Sequence, residues 1–145
     1  MFKQPVCLFI LLCVLSITYS QANDEKLSLG SKGPGGGLIF FIDNSGAHGL
    51  AAKAEDVKIG ELNRLKWNDA QAAISAYGAE WRLPTKDELN LLYQQKDVVG
   101  GFTNDFYWNA TEYGSGHAWY QYFINGIQMY SKKEFALRVR AVRDF

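Results

Sequence analysis

The sequence predicts an α+β domain: an N-terminal hairpin, two short helices, then a β-rich C-terminal half. Three observations point to it. Two apolar runs, 38–42 and 49–54, flank the turn-forming segment Asp43-Asn44-Ser45-Gly46. Two stretches, 68–78 and 85–95, each begin at a capping residue and carry apolar residues at helical spacing. Beyond residue 107 aromatic residues are dense, the spacing becomes alternation, and Asn125-Gly126 separates two of the runs. That dipeptide is the strongest short hairpin signal, because both residues tolerate the positive φ of a type I′ turn.

Residues 1–22 have the form of a cleaved signal peptide. Lys3 supplies the basic start, 6–17 is the apolar run, and Ser20-Gln21-Ala22 places small residues where a signal peptidase reads. The run is shorter than the roughly 20 residues of a membrane span. A lipid anchor at Cys13 would need a small residue before it, and Leu12 stands there. The mature chain is expected to begin at Asn23, to have no membrane span, and to be exported to the periplasm, cell surface or medium. Both cysteines, Cys7 and Cys13, lie in the signal, so no disulfide is available in a compartment that permits one. An aromatic content of 14% must supply the packing instead. The formal net charge of zero gives no footprint for nucleic acid.

Residues 23–32 are polar and read as a flexible lead-in, with the domain proper spanning 33–145. The glycine-rich segment Gly33-Pro34-Gly35-Gly36-Gly37 opens a strand rather than a helix and lacks a Gly-Lys-Ser/Thr ending, which argues against phosphate. The turn at Asp43 lacks the Glu of a calcium loop, Ala54 standing at that spacing. His48, at the hairpin tip, reads as an exposed loop residue. After an irregular connector, 55–66, Asn68 is expected to cap the first helix with Gln71 as reciprocal partner. Ala70, Ala73, Ile74 and Tyr77 should form its buried face, and Gly78 its end. Trp67-Asn68-Asp69 has the letters of a lectin calcium motif, but that motif lies on a strand. Here Trp67 is expected in the core.

The second helix has the clearest start. Pro84 holds Leu83 extended, and Thr85 with Glu88 forms a capping box in which each side chain satisfies a backbone N–H. Asp87 and Glu88 meet the helix dipole, Leu89, Leu92 and Tyr93 share one apolar face, and Trp81 should be buried beside it. In the β-rich half, 107–111, 118–123 and 127–130 read as strands. Leu137, Val139 and Ala141 alternate with Arg138 and Arg140, which reads as a last strand with its arginines outward. No internal repeat is present.

Trp81-Arg82-Leu83-Pro84-Thr85, followed by Asp87-Glu88-Leu89, resembles the signature of the Lcl C-terminal domain family. Residues 35–43 with 49–52 resemble that family's opening hairpin. Tyr107-Trp108-Asn109-Ala110-Thr111-Glu112 resembles its Tyr-Trp-Ser-Ser-Thr-Glu segment, with Asn109-Ala110 in place of the two serines, and 138–143 resembles its closing strand. The resemblance covers roughly residues 33–145. It implies a C-type-lectin-like fold, similar to that of the formylglycine-generating enzymes. It also implies kinship with receptor-binding proteins whose C-terminal half is diversified, a half that corresponds to 113–131 here.

The residues argue against catalysis. Formylglycine chemistry needs thiols, and the mature chain has none. Nothing local places His48 or His117 in a serine triad. Two separated histidines make no zinc site. Glu112 and Glu134 could in principle form a glycosidase pair, but their sequence positions do not fix a separation and Glu112 belongs to a structural segment. No cofactor and no metal are expected. Binding has the better case. If Trp119 and Phe123 point into the core, Tyr120 and Tyr122 face outward, and exposed Tyr gives contact area at little entropic cost. The ligand-binding candidates are Tyr113, His117, Tyr120, Tyr122, Gln128 and Tyr130, for a glycan or a surface protein. Lys132, Lys133, Arg138 and Arg140 are candidates for an anionic ligand, with Arg143 nearby. Asn109-Ala110-Thr111 is also a glycosylation sequon. The expected function is a non-catalytic secreted binding module; the alternatives are a structural subunit of a surface assembly and, behind it, an enzyme.

Overall fold

The apolar runs at 38–42 and 49–52 need to be covered, and the chain folds back at Asp43 so that they pair. The computed structural model describes residues 26–145; the expected signal peptide and the expected start at Asn23 lie outside them. Strand β1 (Leu38–Ile42) pairs antiparallel with β2 (Gly49–Ala52), and β2 pairs with β6 (Val142–Asp144). A second antiparallel sheet follows the order of β3 (Phe106–Glu112), β4 (His117–Tyr122) and β5 (Gln128–Lys132). Helices α1 (Trp67–Ser75), α2 (Lys86–Gln94) and the single turn α3 (Lys96–Val99) lie between the sheets in sequence. The protein is thus a mixed α/β domain with two small antiparallel sheets. The third helix was not expected, since Val98 and Val99 read as the start of the β-rich half.

Two apolar clusters form the interior. One gathers Trp67, Ile74, Trp81, Leu83, Trp108 and Val139; the other gathers Phe40, Leu89, Leu92, Tyr107, Phe123 and Val142. Trp67 and Trp81 are buried as the sequence indicates. The capping box at α2 is present in full: Glu88 N–H donates to Thr85 Oγ1 at 3.2 Å, and Thr85 N–H to Glu88 Oε2 at 2.8 Å. Arg82 adds two bonds to the same carboxylate, at 2.6 and 2.8 Å.

Several expectations are corrected. Asn68 does not cap α1. The cap position of the helix falls two residues earlier, at extended Lys66, which makes no side-chain cap bond. Tertiary bonds fix its start instead: Trp67 N–H donates to Lys133 O at 3.1 Å, and Trp67 Nε1 to Asn109 O at 2.8 Å. Tyr77 lies beyond the helix end, where the helical period no longer applies, and is exposed under the Lys53 ammonium. Residues 28–32 are not free of the fold. Gly30 N–H donates to Ile39 O at 2.8 Å, and Ser31 O accepts from Ile39 N–H at 2.9 Å. The turn at Asn125-Gly126 is wider than type I′. Phe123 is fully buried and leaves the ladder to bond Asp105 O, so Tyr122 pairs with Ile127 across a longer loop. In that loop only Gly126 has positive φ, and it packs directly on Tyr93.

The largest correction concerns residues 137–141, which form no regular strand. Their backbone serves a different partner at nearly every step. Leu137 pairs with Leu65, Arg138 bonds Phe106 and Trp108, Val139 O accepts from Val57, Ala141 O accepts from Lys53, and Val142 pairs with Arg82. This strip joins the connector, both sheets and the entry to α2.

Candidate functional site

In the β3-β4-β5 sheet alternate residues face opposite ways. His117, Trp119, Gln121 and Phe123 share one face, with Gln128, Tyr130 and Lys132 opposite the first three on β5. Helix α2 covers one end of that face. Gln121 Nε2 donates to Asn90 Oδ1 at 2.9 Å, and Gln128 Nε2 to Lys86 O at 2.9 Å. The cover stops at the N-terminus of α2. Beyond it Tyr113, His117, Trp119 and Tyr130 form an aromatic platform open to solvent.

The platform has a defined geometry. Tyr113 and Tyr130 stack with centroids 3.9 Å apart and planes 17° apart. Trp119 meets both edge-on, at 6.0 and 5.6 Å, and His117 meets Tyr130 at 6.1 Å. Tyr113 is 49% exposed and Tyr130 46%. A hydrogen bond with Tyr113 pushes the Tyr130 hydroxyl above its ordinary pKa. Lys86 Nζ stands over the Trp119 ring. A lysine in the first turn of a helix opposes the dipole, and the ring face offsets that.

Four of the six ligand candidates, Tyr113, His117, Gln128 and Tyr130, are therefore brought together. Tyr120 and Tyr122 lie on the opposite face, where Phe106 stacks on Tyr122 at 4.4 Å and meets Tyr120 at 5.3 Å. Trp119 and Phe123 do share a face, but only Phe123 is core; Trp119 is half-buried, because α2 ends before reaching it. Tyr120 packs partly on the Trp108 cluster, so it is less free than alternation suggests. Lys86 and Trp119 are the members the sequence reading missed. The available signal was a cation placed against the helix dipole.

The anionic-ligand candidates do not form an open patch. Arg140 is fully buried: it binds Asp56 and the carbonyls of Lys53, Ala54, Gly100 and Gly101, at 2.7–3.2 Å for the carbonyls. Arg138 turns inward to Asp105 and Asp56, at 2.9 and 3.2 Å. Lys133 bonds Glu112 and Ser115 O and lies over Trp67. Lys132 alone of the four is exposed. Burial pushes the Asp105 carboxyl up, but the Phe106 N–H, then Arg138 and Arg64, outweigh it and hold the group below its ordinary range.

Asn109 of the sequon is fully buried, so the folded domain does not offer it for glycosylation. Its Oδ1 accepts from Thr111 N–H at 2.9 Å, and its Nδ2 has no partner. Among the described residues no cluster of three or more His, Cys, Asp or Glu is placed to hold a metal, and no helix is long and apolar enough to cross a membrane.

Residues 45–143 match the model of the Lcl C-terminal domain family. The chain belongs to the Lcl C-terminal domain family. A search of curated proteins found no match. In this Lcl C-terminal domain the matched span contains the whole platform, all three helices and β2, while β1 and residues 30–32 alongside it precede the span.

Proposed function

We propose that this Lcl C-terminal domain is an exported, non-catalytic binding module of C-type-lectin-like fold that holds a glycan or a surface protein on its aromatic platform. The supporting observation is the open Tyr113–Trp119–Tyr130 group. Its rings are held by one another and by Lys86, so little side-chain entropy is lost when a ligand covers them. Tyr hydroxyls and His117 add hydrogen-bonding groups at the rim. Export is supported by the pattern of residues 1–22, and the absence of thiols beyond Cys13 supports a non-catalytic role relative to formylglycine chemistry. The test is a glycan and surface-protein array probed with the purified domain. Binding lost in the Tyr113→Ala/Tyr130→Ala double variant and retained in Tyr122→Ala supports the platform. The reverse pattern would move the site to the opposite face.

A further inference from the structure

The two sheets have four outer edges, and three are closed by the chain itself. Residues 30–32 lie along β1, with Lys32 bridged to Leu38. Arg82 and Val142 exchange both backbone bonds at the edge of β6, each at 2.9 Å. Arg138 bonds Phe106 and Trp108 along β3, and Pro84 O accepts from Ala110 N–H there. Among the described residues nothing pairs with the outer side of β5. Lys133 bonds Gly116 and Ile127 bonds Tyr122, so in the ladder between them Met129 and Ser131 point their backbone groups at β4. Gln128 and Tyr130 therefore present N–H and C=O outward. Lys132 presents its N–H, while its C=O accepts from Phe135.

Exposed edges are ordinarily blunted by Pro, a bulge, a very short strand or charged side chains, Lys above all. Strand β5 runs five residues in unbroken register without Pro or Gly, and its one charge is Lys132 at its end, which discourages pairing with a basic or like-charged strand but not with an acidic one. Its side chains set the character of a partner. Lys132 and, across the platform, Lys86 are positive, and neither is in an ion pair among the described residues. On the other face Met129 is 53% and Ile127 52% exposed.

We propose that β5 is a strand-addition site for an extended acidic peptide segment of a partner protein. Carboxylates at alternate positions meet Lys132 and Lys86, and apolar residues between them cover Met129 and Ile127. The inference rests on the binding-module reading and specifies its protein branch. A second copy is the poorer occupant. A two-fold pairing of β5 about Tyr130 would set both copies' Lys132 and Lys86 on one sheet face, like charge beside like charge.

The probe is an acetylated, amidated hexapeptide alternating Glu and Val, titrated into the isotope-labelled domain. The Gln128, Tyr130 and Lys132 amides should shift and gain exchange protection. A twin peptide N-methylated on its β5-facing amides should bind about tenfold or more weakly, as the loss of paired backbone bonds requires. Lys132→Glu should weaken the acidic peptide similarly and favour a Lys-Val peptide. Tyr130→Pro, which removes an outward N–H and leaves the ladder to β4 intact, should abolish the protection. If the three amides stay unchanged while the array ligand still binds the platform, strand addition is wrong and the binding module stands. If the array finds no ligand either, both fail. Protection of the same amides by self-association, or by a glycan alone, would also overturn the proposal.

Discussion

Lys86 Nζ lies 3.4 Å from the centroid of Trp119, so the tryptophan that alternation assigns to the core is a half-buried ring under an ammonium. Trp108 of β3, which pairs with Tyr120 on the opposite face of the sheet, is fully buried and donates to Leu65 O at 3.0 Å. Trp108→Ala should cost about 3–5 kcal/mol, as large core aromatics do. Trp119→Ala should cost well under that range and should abolish ligand binding instead. Denaturant melts of the two variants, with binding measured on the second, check this; equal destabilisation would place Trp119 back in the core.

Thr85→Ala should destabilise the domain by about 0.5–2 kcal/mol through loss of the N-cap, and Thr85→Ser by much less. Both halves of the box are formed, so Glu88→Gln should keep the bond to Thr85 N–H while weakening the pair with Arg82. Thermal melts of the three variants separate the two effects.

Arg140→Ala should cost about 3–5 kcal/mol, because it leaves several buried carbonyls unpaired and removes one of the two arginines bound to Asp56. Arg140→Lys should also be markedly destabilising: one ammonium cannot reach acceptors on Asp56 and on both Gly100 and Gly101 as a planar fork does. Equilibrium unfolding reads both, and a near-neutral Lys variant would contradict the hub described here.

The Asp105 carboxyl is held below its ordinary range in the fold, whereas the unfolded chain should titrate near the usual value of about 3.9. Its contribution to stability is therefore complete above that pH and is lost as pH falls through the lower folded value. Stability measured against pH should drop on the acid side of about pH 4. Asp105→Asn should flatten that part of the profile while lowering stability at neutral pH.

What was legible in the sequence was local. The box at Thr85 and Glu88 involves residues three apart, and the hairpin at Asp43 is closed by adjacent runs, so propensity and spacing suffice. The buried arginines were not legible. Arg138 and Arg140 alternate like any half-exposed strand, and their carboxylates, Asp56 and Asp105, lie far away in the chain. Alternation also gave the correct pairing of Trp119 with Phe123 on one face. It carried no information on where α2 ends above that face, which decides that one ring is core and the other platform. The wide turn after Tyr122 has the same cause: burial of Phe123 overrode the preference of Asn125-Gly126.

The strip 137–142 has a consequence in time. It touches Lys53, Val57, Leu65, Arg82, Phe106 and Trp108, all of which leave the ribosome before it does. Until that strip exists, the connector, the α2 entry and the outer side of β3 lack their shared partner, and the two arginines that neutralise Asp56 are missing. Almost every bond it makes closes a long loop, the kind of contact that forms slowly. The pairing of Asp56 and the closure along the outer side of β3 therefore form late, after the strip itself has been made.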